Sequence, residues 1–151
     1  MSPDRRHALK TTSLLAVLVA QGVIGWPEAQ AAEARAGFGA DTLDGALAAL
    51  GSRPATSEQV QLTALDVVED GSVAPVRVVS LLPGTTEIHL LVEKNPVPLS
   101  ASFRFPAGSV PDIQVRVKMA ESSRVVAVVR ADGKLYMASK QTAVTVGSCG
   151  G

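Results

Sequence analysis

A mainly β fold, an antiparallel β-sandwich with one short N-terminal helix, is what the 151-residue sequence predicts. Three observations predict it. Short runs of alternating apolar and polar residues recur along the chain with Gly, Pro and Asp-Gly turn signals between them. Only one stretch, Leu43 to Leu50, has its apolar residues at helical spacing. Aromatics make up 3% of the residues, so aliphatic and β-branched side chains must fill the core.

Taken in order, Asp41 or Thr42 can cap a helix N-terminus. Leu43, Ala46, Leu47 and Leu50 then form one apolar stripe, and Gly51 suits the position just past a helix end. The stripe is expected to pack on a sheet. Val60, Leu62 and Ala64 alternate with Gln61 and Thr63 as a half-buried strand does, and Glu69-Asp70-Gly71 reads as a turn. Val73 to Ser80 is a Val-rich strand in which Pro75 suggests an edge or a strand start. Pro83-Gly84 is a turn. Ile88, Leu90 and Val92 alternate with His89, Leu91 and Glu93. Asn95-Pro96-Val97-Pro98 is non-regular, since each proline fixes φ and removes a donor. It is read equally as a plain connection or as a rigid partner-facing loop. Ser102 to Phe105 is a short strand. Ile113, Val115, Val117 and Met119 face one way in the clearest strand, with Gln114, Arg116 and Lys118 on its outward face. Val125 to Arg130 and Leu135 to Ala138 flank Asp132-Gly133, a hairpin signal, and Thr142 to Val146 is the last of about eight strands.

The N-terminus reads as an export signal. Arg5-Arg6 precedes an apolar run, Leu14 to Ile24, that is too short for the ~20 residues a membrane span needs. Pro27 and the small-x-small site Ala29-Gln30-Ala31 follow, with Ala34-Arg35-Ala36 as a second cleavage candidate. The twin arginine points to the route that exports folded proteins, although Ala8 stands where a bulky residue is usual. The expected organisation is a signal peptide over 1–31, a linker over 32–39, the sandwich over 40–146 and a flexible arm over 147–151. Cleavage removes Arg5, Arg6, Lys10, Asp4 and Glu28 from 14 basic and 14 acidic residues, leaving 11 and 12. A near-neutral domain without a basic run gives no electrostatic case for nucleic acid, and no stable membrane anchor is expected after cleavage.

The chemistry concentrates at one residue. Cys149, the only cysteine, lies in Gly147-Ser148-Cys149-Gly150-Gly151 and can form no internal disulfide. Glycines on both sides leave the backbone free to approach other surfaces closely. No Lys, Arg or His within the arm lowers the thiol pKa, and a carboxylate at its end would disfavour the thiolate. Reactivity must therefore come from sites the arm enters. After cleavage one histidine remains, His89, expected at the surface or rim of a strand, so no second histidine can join it in a metal site, and no base that would activate the thiol is evident. Asp66, Glu69 and Asp70 are expected to be solvated near a turn. These features favour a non-catalytic covalent carrier. The alternative is a binding or adaptor module whose thiol makes a redox-controlled disulfide with a partner.

The arm, Val92-Glu93-Lys94-Asn95-Pro96 with Pro98-Leu99, Phe103-x-Phe105 and Arg116-Val117-Lys118-Met119 together resemble the SoxY family, the sulfur carriers of the bacterial thiosulfate-oxidising Sox system. The resemblance covers most of the mature chain. Ser148 departs from the family's Gly-Gly-Cys-Gly-Gly. The resemblance implies a periplasmic, Ig-like carrier paired with a SoxZ-like subunit. Cys149 would be the attachment site and Gly147, Gly150 and Gly151 the arm. A c-type cytochrome enzyme would join thiosulfate to Cys149 as a cysteine S-thiosulfonate, a metal-dependent hydrolase would release sulfate, and a molybdenum enzyme would oxidise the remaining sulfur. No cofactor would belong to this chain, which has no Cys-x-x-Cys-His haem motif.

Overall fold

The computed structural model describes Arg35 and residues 37–146; the expected signal peptide and arm lie outside the described residues. Helix α1, Leu43–Ala49, is capped by Thr42, whose Oγ1 accepts from Gly45 N at 3.2 Å. It ends where Gly51 takes φ +119°, a conformation that favours glycine. Nine strands follow: β1 Ala55–Thr56, β2 Val60–Ala64, β3 Val67–Asp70, β4 Ala74–Ser80, β5 Thr85–Val92, β6 Leu99–Arg104, β7 Asp112–Val117, β8 Ser123–Ala131 and β9 Lys134–Val146.

The strands form two sheets. The larger has the order β1-β9-β8-β5-β6, with β3 also paired to β9; the smaller is β2-β4-β7. Between them lies a core of Val76, Val78, Ile88, Leu90, Val92, Val125, Ala127, Val129 and their neighbours. The period of two then places the alternate residues Leu91, Val126 and Val128 on the other face of the larger sheet, where Leu43 and Ala46 of α1 and its C-cap Leu50 cover them together with Leu99 and Leu135. The helix stripe packs on a sheet as expected, and the larger sheet is buried on both sides. That accounts for the unbroken apolar run of β8, in which Val125 to Val129 are all fully buried.

Several expectations are corrected. Leu135–Ala138 and Thr142–Val146 are parts of one 13-residue strand. Ser139, Lys140 and Gln141 interrupt its apolar pattern, but their backbones pair with Val126, Val125 and Arg124 of β8. Glu69-Asp70 ends a strand, β3, and the turn follows as a 3-10 segment, Gly71–Val73. β1 and β3 pair with β9 in parallel, adding to the antiparallel framework. Pro75 marks a strand start but not an edge, because β4 is central in its sheet. Gly37, in the expected linker, is buried in a 3-10 turn; a Cβ there would come within 2.6 Å of the buried Leu99 Cδ2. The Asp132-Gly133 hairpin is as expected, with φ +48° and +74° at its two central residues, the sign pattern of a type I′ turn.

Candidate functional site

Cys149, Gly147, Ser148, Gly150 and Gly151 lie outside the described residues, so the site is built from the backbone that leads to them. β8 pairs with β9 only as far as Thr142, opposite Ser123. The last four residues of β9, Ala143 to Val146, run past the end of β8. They are held instead by β3, with Val67 opposite Ala143, Val68 opposite Val144 and Asp70 opposite Val146. Two threonine hydroxyls and one further backbone bond reinforce this short parallel ladder. Thr142 Oγ1 donates to Leu65 O at 2.9 Å, Ala143 N to Asp66 O at 2.8 Å and Thr145 Oγ1 to Glu69 O at 2.9 Å. On the side vacated by β8, Ser122 Oγ accepts from Val144 N at 2.9 Å and lies 3.4 Å from Val144 O, to which it donates. At the end of β3, the Asp70 carboxylate accepts from Ser72 N at 2.8 Å. The backbone and hydroxyl of Ser72 hold its pKa below the ordinary carboxylate value.

Exposed apolar side chains surround this root: Leu65 and Val67 before and on β3, Val73 in the adjoining turn, and Val146 itself. Asp66 is solvated as expected, paired with Lys140 at 3.0 Å. Arg116 and Lys118 are exposed, as a strand's outward face predicts.

His89 is corrected. It is buried, not a rim residue, with 4% of its surface exposed. Its Nδ1 lies 2.8 Å from Ser102 Oγ and its Nε2 3.2 Å from Glu87 Oε2. Glu87 also binds Arg130 Nε at 2.8 Å and Arg104 Nε at 3.4 Å, and Arg130 Nη2 donates to Leu50 O at 2.7 Å. This cluster ties the end of α1 to β5, β6 and β8. Burial pushes the His89 pKa below its ordinary value, partly opposed by Glu87. Partial burial raises the Glu87 pKa, but Arg130 and His89 outweigh it and the net direction is down. The position of His89 in mid-sheet places it away from the β9 root. A cleft of about 530 Å³ beside α1 is lined by Leu43, Leu47, Arg53, Arg124 and Met137. Among the described residues no group of His, Cys, Asp and Glu is arranged to hold a metal.

Comparison with known proteins bears on the whole of this framework. The family model described as "Sulfur oxidation protein SoxY" matches residues 46–149, from α1 to the cysteine. The chain belongs to the SoxY family. Among solved structures, the sulfur carrier protein SoxY from Chlorobium limicola f thiosulfatophilum is 35% identical to it, with a TM-score of 0.63. That match covers 71% of this chain and 95% of the Chlorobium one, and the sandwich is accordingly the Ig-like fold of SoxY. No curated protein sequence matches.

The SoxY-like segment around Asn95 has a structural role that sequence reading missed. Asn95 Nδ2 donates to Lys118 O at 2.7 Å and its Oδ1 accepts from Ala120 N at 3.0 Å. Lys94 N donates to Ser123 Oγ at 3.0 Å, and Met119 N to Gly71 O at 2.7 Å. The β5–β6 connection therefore pins residues 118–123, the strap that carries Ser122. Pro98 is buried, while Pro96 and Val97 are exposed.

Proposed function

We propose that this SoxY-family protein is a non-catalytic sulfur carrier that holds thiosulfate-derived groups covalently on Cys149, at the end of a flexible arm formed by Gly147, Ser148, Gly150 and Gly151. The observation that carries the reading is the family match: it runs through residue 149, where the chain has its one cysteine. Loading is an oxidation. The Cys149 thiol and thiosulfate join through a new S–S bond, giving Cys–S–S–SO₃⁻, one proton and two electrons, and the electrons pass to a c-type cytochrome enzyme. Hydrolysis then adds one water across the outer S–S bond, releases sulfate and two protons, and leaves the persulfide Cys–S–S⁻. The remaining sulfur is oxidised by a molybdenum enzyme. The chain works in the periplasm after twin-arginine export, paired with a SoxZ-like subunit. Glycines beside the cysteine suit entry into a narrow cleft, and covalent tethering gives each partner a high local concentration of its substrate.

Intact-mass spectrometry of protein purified from cells oxidising thiosulfate tests this. Reductant-removable thiosulfonate or persulfide adducts on Cys149, absent in Cys149→Ser together with all turnover, are expected. A bare thiol, or a mixed disulfide with one partner protein and no sulfur adduct, sinks the carrier reading and favours the adaptor.

A further inference from the structure

We infer that Ser122, Thr145 and Asn95 are positioning residues that fix the origin of the arm, so that the thiol works from a clamped root within a short radius. This rests on the carrier reading above. The inference starts from the mismatch between β8 and β9. If β9 ended with its partner, residues 143–146 would belong to the free chain. Seven residues, 143 to 149, would then separate the last fixed backbone atom from the thiol, a span of up to about 23 Å when extended. In this fold β3 binds one edge of residues 143–146 and Ser122 satisfies Val144 on the other. Only residues 147–149 remain between clamp and thiol, a span of at most about 10 Å.

The clamp has a second tier. Ser122 sits on the strap of residues 118–123, and Asn95 holds that strap by both ends of its amide. The route from Asn95 through Lys118 and Ala120 to Ser122 and then Val144 is continuous along backbone and hydrogen bonds. It gives a use within the chain to a segment that lies inside the SoxY family match.

Two consequences follow. A partner's reactive centre has to lie within about 10 Å of the surface it presses against Val146. Effective concentration falls roughly as the −3/2 power of tether length, so lengthening the tether from three residues to seven by releasing the whole clamp would lower it about three- to fourfold. Small reagents in solution do not use the tether and should be indifferent to it.

The test uses the full chain with Ser122→Ala, Thr145→Val and Asn95→Ala, and with Ser122→Thr as the conservative variant. Amide hydrogen exchange at residues 144–146 reads the clamp directly. The rate of thiosulfate loading onto Cys149 by the cognate cytochrome enzyme reads its use, and reaction with a small aromatic disulfide is the control. Faster exchange, a fall in kcat/KM of at most about three- to fourfold carried by KM, unchanged reaction with the small disulfide, and recovery in Ser122→Thr are expected. Unchanged exchange, or loosened exchange with loading at the wild-type rate, overturns the inference while leaving the carrier reading intact. Failure of the wild type itself to load overturns the carrier reading instead. Thr145→Val keeps the β-branched shape at an exposed position, so it separates loss of the clamp from loss of the fold.

Discussion

His89 is buried between Ser102 and Glu87, not at the expected surface or rim of its strand. Its depressed pKa makes stability depend on pH. The unfolded chain binds the proton near pH 6.5 and the folded chain resists it, so ν_U exceeds ν_N below that pH and stability rises with pH. The stabilisation from neutral His89 is therefore complete above about pH 6.5 and is lost as pH falls towards the folded pKa. Glu87, also depressed, adds a loss in the same direction at lower pH, beginning near its ordinary value of 4.5. His89→Gln, which can keep a donor and an acceptor on Ser102 and Glu87, should flatten the fall in thermal midpoint between pH 7 and 5. An unchanged slope in a melting series across that range would remove His89 as its source. Burial of this side chain was not legible in the sequence, because its partners are Ser102 on another strand and a Glu87 carboxylate held in turn by Arg130 on a third.

At the scale of elements, neighbours on β5 serve different layers. Leu90 faces the sandwich core and Leu91 faces α1, and both are fully buried. Truncation of either to Ala should cost about 2–5 kcal/mol in urea denaturation. Only Leu91→Ala should also raise amide exchange in α1 selectively; equal exchange in both variants would argue against two separable layers. The helix, a cap at Asp41 or Thr42, the β7 alternation and the Asp132-Gly133 hairpin were all legible, because each is written in local periodicity or turn chemistry. β3 was not. It has four residues, one inward side chain, Val68, and a parallel partner about 76 residues away. Nothing in Val67-Val68-Glu69-Asp70 by itself distinguishes an edge strand from a loop entering a turn. The same holds for the candidate site: Cys149 stands out in the sequence, whereas Ser122 and Asn95 gain meaning only once β9 is seen to outrun β8.

For the molecule as a whole, β9 is the strand on which the larger sheet closes. It takes β8 along one edge and both β1 and β3 along the other. A chain ending before Lys134 should therefore show no cooperative thermal transition, since β1 and β3 would lose their partners and β8 an edge. A sigmoidal melt from that truncation would contradict the assignment. With pairings this far apart in sequence, folding is expected on the millisecond-to-second scale by stopped-flow refolding. There is also a consequence in the order of synthesis. β9 leaves the ribosome after every other described strand, and the cysteine follows it by three residues. A copy broken off before Lys134 lacks the closing strand and the cysteine together, so under the proposed carrier function an unfinished sandwich offers no thiol to be loaded.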